Sequence, residues 1–188
     1  MTPTTFDTEF GRLQQRYPTL FERLRTGGWT SEHRAPIADV DAEPYWPRPF
    51  PMHDLARELL LRLGGISVYE PDWVGITFGC VDCGTASELK AARPYDIERL
   101  VLREPPSDRP PAFPIGTMNE WMLFLREDWS TITVGYTWKH FLLTNDPFEV
   151  IEEMRTHTRR IRDDPARHIV ITDWEQVPEN LIPTWMTT

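Results

Sequence analysis

The segment FPMHDLARELLLRLGGISVY, residues 50–69, decides the fold. Leucine recurs at every fourth position from 55 to 63, and this spacing predicts a helix with one broad apolar face. We expect the helix to begin at Pro51, because a helix start does not need the N–H that proline lacks. Gly64–Gly65 is expected to end it, since glycine adopts the left-handed conformation common at helix ends. Ile66–Tyr69 then alternates apolar and polar side chains, which predicts a half-buried strand.

An amphipathic helical segment precedes this core. Large apolar side chains recur at spacings of three and four over residues 6–25. Pro18 is expected to kink or break the helix, because a proline inside a helix removes a hydrogen bond and clashes with the preceding turn. Gly27–Gly28 is expected to end it.

The middle of the chain predicts a β-hairpin. Trp121–Leu125 is dense in apolar residues, as in a central strand, and Phe113–Gly116 leads into it. Arg126–Ser130 is a polar turn, and Thr131–Tyr136 is a β-branched returning strand. Further strands are predicted at Trp73–Phe78, Lys139–Thr144 and Arg167–Thr172.

A last helix is marked by its start signals. Asp146 fits the N-cap, Pro147 the first helical position and Glu149 the third, which is a capping-box pattern. Arginines up to Arg162 are expected at its C-terminal end, where the helix dipole favours positive charge. The buried stripe is predicted to contain Phe148, Ile151, Met154 and Ile161. One helix, several strands, another helix and a final strand around one core predict an α+β fold.

The charge balance narrows the classes of partner. The chain has 29 acidic and 20 basic side chains and a net charge of −9. This disfavours direct nucleic-acid binding, which depends on Lys and Arg neutralising phosphates. The same charge attracts a basic partner and speeds its encounter. Alternatively, it only keeps a cytosolic protein in solution.

The sequence also predicts a cytoplasmic location. The N-terminal residues MTPTTFDTEF lack the basic and apolar regions of a signal peptide. No apolar run approaches the length that spans a bilayer, so no membrane association is expected. The chain contains only 2 cysteines, too few for a secreted disulfide framework.

Catalytic and metal signatures are weak. Cys80 and Cys83 form one C-x-x-C pair, whereas a structural zinc site needs four ligands. The histidines at positions 33, 53, 140, 157 and 168 are scattered, with no second ligand at metal spacing. Glu152–Glu153 and Asp163–Asp164 are interpreted as solvated charge. We therefore expect no enzyme activity, cofactor or metal, although a zinc site, a redox pair or a Cys-His hydrolase built on the cysteines stays an alternative.

Two turns combine tryptophan with carboxylates and are the candidate partner-binding residues. Asp72–Trp73 follows the first core strand, and Glu127, Asp128 and Trp129 form the tip of the predicted hairpin. A tryptophan rimmed by acidic residues is typical of an interface anchor. The alternative is that both indoles fold back and cover the edge of the sheet.

Four landmarks in order resemble the SUKH superfamily of Smi/Knr-type immunity proteins, in particular its third subfamily. They are Gly28-Trp29 with Arg34, His53 opening a helix that closes as Leu63-Gly-Gly-Ile-Ser-Val68, Phe113-Pro-Ile-Gly116, and Asp146-Pro-Phe-Glu-Val-Ile-Glu-Glu153. The resemblance spans residues 27–162. Leu63 stands where the family usually has phenylalanine, and residues 70–112 do not align with it.

The resemblance implies a single twisted, mostly antiparallel sheet flanked by helices. We predict an N-terminal helical segment (1–26), a SUKH-like domain (27–172) and a C-terminal tail packed on that domain (173–188). The resemblance also implies an immunity protein, a monomer or weak dimer, that binds and neutralises a basic polymorphic toxin, for example a nuclease, in the bacterial cytoplasm. A general interaction or scaffolding module of the same fold is the alternative.

Overall fold

The computed structural model describes residues 3–36, 50–70, 73–79, 101, 110–119, 121–135 and 139–171. The helices in these ranges are α1 (Pro3–Arg16), α2 (Pro18–Thr26), α3 (Asp54–Leu63) and α4 (Pro147–Arg155). The strands are β1 (Ser67–Glu70), β2 (Trp73–Phe78), β3 (Phe113–Met118), β4 (Trp121–Leu125), β5 (Thr131–Gly135), β6 (His140–Thr144) and β7 (His168–Val170). None of the helices in this part of the chain is long and apolar enough to cross a membrane.

The strands form one twisted, open sheet in the order of the sequence, and every neighbouring pair is antiparallel. The predicted α+β fold with a single antiparallel sheet is therefore confirmed. Phe113–Gly116 was expected only to lead into a strand, but it lies within β3 itself. Gly116 is required there, because a Cβ at this position would stand 2.3 Å from the Thr77 carbonyl oxygen of β2.

The helices bury their apolar faces in one core with the sheet. The predicted break between α1 and α2 is confirmed, since α2 starts at Pro18 directly after Tyr17. Phe10 of α1 packs edge-on against Phe21 of α2 and against Phe148 of α4, with ring centroids 5.6 and 6.3 Å apart. The division into segments 1–26, 27–172 and 173–188 stays a prediction, and the tail beyond Ile171 lies outside the described residues.

Helix α3 begins at Asp54 and not at Pro51, because the His53 side chain provides the N-cap. The His53 Nδ1 accepts the Ala56 N–H at 3.2 Å. Its Nε2 therefore carries the proton, and it donates to the Leu125 carbonyl oxygen at the end of β4, at 3.0 Å. The predicted glycine stop is confirmed, with Gly65 in the left-handed region at φ 77°.

Helix α4 begins as predicted but ends earlier. Asp146 caps it by accepting the Phe148 and Glu149 N–H groups, both at 3.0 Å. The helix ends at Arg155, where Thr156 is the C-cap, so the later arginines up to Arg162 lie outside it. The expectation that they complement the dipole of the last turn is wrong for all but Arg155.

The interpretation of Glu153 as solvated charge is also wrong. Its side chain is only 6% exposed. The chain turns back after α4, and the carboxylate accepts the Ile161 N–H at 2.6 Å and the Arg162 N–H at 3.3 Å. Glu153 thus fixes the returning segment, because it replaces water as the acceptor for two backbone donors. Ile161, predicted in the buried stripe, is brought into the core by this turn.

Candidate functional site

A groove of about 640 Å³ opens where the start of α1, the β4–β5 turn and the entrance to α4 meet. The turn contributes Asp128 and Trp129, and α4 is entered through Asn145. Helix α1 contributes Thr5, Thr8, Glu9 and Arg12. All of the lining residues except Trp129 are polar or charged, and Glu9 and Arg12 form an ion pair across one helical turn at 2.5 Å.

The β4–β5 turn is a three-residue hairpin loop with a bulge. The Arg126 N–H donates to the Ser130 carbonyl at 2.9 Å, and the Trp129 N–H donates to the Arg126 carbonyl at 3.1 Å. Asp128 stiffens the turn, since its Oδ1 accepts the Ser130 N–H at 3.0 Å and the Ser130 hydroxyl at 2.5 Å. This pattern puts Trp129 in the left-handed bulge position that glycine usually occupies, with φ 72°.

Trp129 carries two energetic costs in one residue. A non-glycine residue in the left-handed region costs roughly 1–2 kcal/mol. Its indole is 7% exposed and stacks on Phe6 of α1, with ring centroids 5.4 Å apart. The indole Nε1–H is buried and has no acceptor among the described residues, which costs about 1–3 kcal/mol relative to a bonded donor.

The predicted partner-binding residues are therefore placed differently from one another. Glu127 and Asp128 are exposed at the tip of the hairpin. The Trp129 ring is folded back onto the protein, which agrees with the alternative prediction for the two indoles. It stacks on Phe6 of α1, however, and does not cover the edge of the sheet. Asp72 lies outside the described residues, and of Trp73 only the backbone, at the start of β2, is described. Whether these residues bind a partner stays a prediction.

A buried polar cluster holds α1 in place beside the groove. Asp146 Oδ2 accepts the Tyr17 hydroxyl at 3.0 Å and an Arg16 N–H at 3.2 Å, in addition to the two helix N–H groups on Oδ1. Burial raises the pKa of Asp146, and the Tyr17 and Arg16 contacts oppose this. Burial, followed by the Asp146 charge, raises the pKa of Tyr17, so its hydroxyl keeps its proton and donates. The cluster joins the end of α1 to the start of α4.

A second cleft, of about 340 Å³, adjoins the groove through Asn145. Arg126 and Arg167 line it, together with Ser130, Thr131 and Thr144. Arg167 pairs with Glu149 at 2.8 Å. Burial alone would raise the pKa of Glu149, but the Arg167 contact and the Asn145 N–H outweigh it and lower the pKa.

The hydrogen bond made by Glu149 is displaced by one residue from the predicted capping box, in which Glu149 would accept the N–H of the N-cap residue Asp146. Glu149 reaches back to the Asn145 N–H, one position before the N-cap, at 2.9 Å.

The structure also bears on the cysteines and histidines that the sequence offered as candidate metal ligands. Cys80 and Cys83 lie outside the described residues, and within the described ranges no group of three or more His, Cys, Asp or Glu side chains has metal-binding geometry. The prediction that all five histidines are scattered is wrong for two of them, because His140 Nδ1 lies 3.2 Å from His168 Nε2. The register of β6 on β7 makes this pair, and spacing along the sequence does not reveal it.

Comparisons with known proteins add no identity: no protein-family model, curated protein or solved structure matches the chain.

Proposed function

We propose that this protein is an immunity protein of the SUKH type that binds and neutralises a cognate, basic protein toxin, with the groove beside Trp129 as part of its docking surface. Three observations support the proposal. The four sequence landmarks resemble that superfamily, the α+β fold with one antiparallel sheet agrees with it, and the net charge of −9 suits a basic partner.

The observation that carries the choice of surface is the conformation of Trp129. Left-handed strain and a buried N–H that has no acceptor in the described part of the chain occur together at the tip of an exposed hairpin. Such costs concentrate at functional sites, where the surrounding structure holds a residue ready for a partner. A toxin that shifts the turn can supply an acceptor for Nε1–H, and tryptophan is among the residues that dominate interface energetics.

The acidic residues at the hairpin tip give this surface its charge complementarity. Glu127 and Asp128 are exposed beside the tryptophan and form an acidic rim. Over the described residues as a whole, acidic and basic side chains nearly balance, so most of the acidic excess belongs to the other segments of the sequence. Electrostatic steering therefore acts through the whole chain, and the rim orients the final contact.

Co-expression with a toxin encoded beside its gene tests this function in cells. We expect this protein to restore growth of cells that produce the toxin. The Glu127→Lys variant, which reverses the rim charge, should rescue less well than the parent protein. A toxin that remains equally lethal in the presence of the folded parent protein would contradict the pairing.

The matched control for this charge reversal is Glu32→Lys. Glu32 is also exposed, but it lies next to His33, whose Nε2 is 3.0 Å from the Gly64 carbonyl at the C-terminal end of α3. The hairpin meets the opposite end of α3 through His53 and Leu125, and a helix of 10 residues separates the ends by roughly 15 Å. Glu32→Lys should therefore rescue cells as well as the parent protein.

A further inference from the structure

A pair of histidines on the edge of the sheet forms a second candidate site, independent of the groove. His140 begins β6, and His168 begins β7, the edge strand in the described part of the sheet. In the antiparallel register His168 faces Leu142, so His140 and His168 are diagonal neighbours on one face. Their ring centroids are 5.4 Å apart.

We propose that His140 Nδ1 and His168 Nε2 together bind a divalent transition metal, with Zn²⁺ as the reference ion and water in the remaining coordination positions. Neutral imidazole is a preferred ligand of zinc, copper and nickel. The proposal rests on the tautomer, the distance and the accessibility of the pair.

The tautomer of His168 is fixed by its other nitrogen. His168 Nδ1 lies 2.9 Å from the Arg162 carbonyl oxygen, which only accepts, so Nδ1 carries the proton. In the neutral ring Nε2 then holds a lone pair that points towards His140. A backbone carbonyl bound to the distal N–H is the usual arrangement that orients a metal-binding histidine.

The distance between the two ring nitrogens fits a shared ion. Zinc–nitrogen bonds of about 2.0–2.1 Å in tetrahedral geometry place two ligand nitrogens roughly 3.3–3.4 Å apart. His140 Nδ1 and His168 Nε2 are 3.2 Å apart. In the metal-free protein a proton occupies this space, because His140 Nδ1–H donates to the His168 lone pair.

Metal binding requires only one proton shift. The proton on His140 Nδ1 moves to Nε2 of the same ring, and both imidazoles stay neutral while two lone pairs turn to the metal. The His140 side chain is exposed, so its ring can rotate and water can complete the coordination shell. The positive charges of Arg162 and Lys139 act on His140 and weaken the attraction for a dication, so we expect weaker binding than at a closed four-ligand site.

Calorimetric titration of the full chain with Zn²⁺ tests the proposal. A Cys80→Ser/Cys83→Ser background removes any zinc held by the cysteines. We expect one zinc per chain in this background. His140→Ala and His168→Ala should each weaken binding roughly tenfold or more, which corresponds to about 1.4 kcal/mol or more.

The control variant is His157→Asn, which removes an exposed histidine that has no hydrogen bond or ring contact with His140 or His168 among the described residues. Asparagine tolerates the left-handed backbone of residue 157, at φ 52°. It should leave zinc binding unchanged. Imidazole NMR signals of the background protein provide a second measurement that does not depend on the alanine variants folding, and His140 and His168 should shift together as zinc is added. No saturable zinc binding, unchanged affinity in both alanine variants, or shifts confined to other histidines would overturn the proposal.

Discussion

Trp129 shows at the scale of one residue how the candidate site differs from ordinary structure. Its backbone is left-handed at φ 72°, so glycine should be more stable than alanine at this position. We expect the free energy of unfolding of Trp129→Gly to be about 1 kcal/mol higher than that of Trp129→Ala. In helices and strands the order is usually the reverse, with alanine more stable than glycine. Both variants should be less stable than the parent protein, because they lose the contact with Phe6. Urea denaturation of the two variants measures this, and equal stability would show that the turn is not strained.

Glu153 and its neighbour Glu152 provide a matched pair. Glu153→Gln keeps only one acceptor oxygen for the Ile161 and Arg162 N–H groups and should cost about 1–3 kcal/mol. Glu152→Gln weakens a half-exposed ion pair with Arg155 and should cost less than about 1 kcal/mol. Thermal or urea unfolding compares the two, and similar losses would mean that the buried carboxylate does not hold the returning chain.

The burial of Glu153 and the orientation of the Trp129 ring could not be predicted from the sequence, for a physical reason. Glu152 and Glu153 are adjacent residues of the same type, so the sequence does not distinguish them. Only the path of the chain after α4 buries Glu153. Likewise, Trp129 was predicted at a hairpin tip, but whether its ring points outwards depends on α1, which is more than a hundred positions away. Local spacing does not contain such long-range contacts.

At the scale of elements, His53 links helix α3 to strand β4 and makes stability depend on pH. The side chain is 4% exposed, and burial lowers its pKa below the ordinary value of 6.5. The unfolded chain therefore binds a proton more readily than the folded one. As the pH falls through about 6.5, His53 favours unfolding, so its contribution to stability is present above this pH and is lost below it.

The His53→Asn variant tests this linkage, because asparagine is a good N-cap that does not titrate. We expect the free energy of unfolding of the variant to fall less steeply between pH 7 and pH 5 than that of the parent protein. It should also be lower at pH 7, since the bond to the Leu125 carbonyl is lost. Parallel pH profiles from urea denaturation would refute a role for His53 in this pH dependence.

The elements themselves were largely predictable, and their boundaries were not. Hydrophobic periodicity identified α3 and β1, because it reports directly which face is buried. Apolar density identified β4, and the start signals at Asp146 and Pro147 identified α4. The start of α3 was misplaced because proline at a helix start is common, whereas a histidine cap depends on a carbonyl from β4. The end of α4 was misplaced because an arginine-rich segment fits a helix dipole as well as it fits an exposed turn.

At the scale of the whole molecule, charge governs how the protein meets its proposed partner. With a net charge of −9, its association with a basic toxin should slow as salt is added, while dissociation changes less. Stopped-flow or surface-based kinetics at rising sodium chloride concentrations measures both rates. An association rate that is independent of salt would show that charge does not steer the encounter.

The central claim is that the hairpin tip beside the groove contacts a toxin and blocks it. Titration of the toxin's activity with purified protein tests this most directly. We predict that the parent protein and Glu32→Lys each inhibit the toxin completely at one protein per toxin. Glu127→Lys should need a higher concentration than these two proteins to inhibit half of the toxin activity. Full toxin activity in excess parent protein would contradict the function, and equal inhibition by Glu127→Lys and Glu32→Lys would contradict the site.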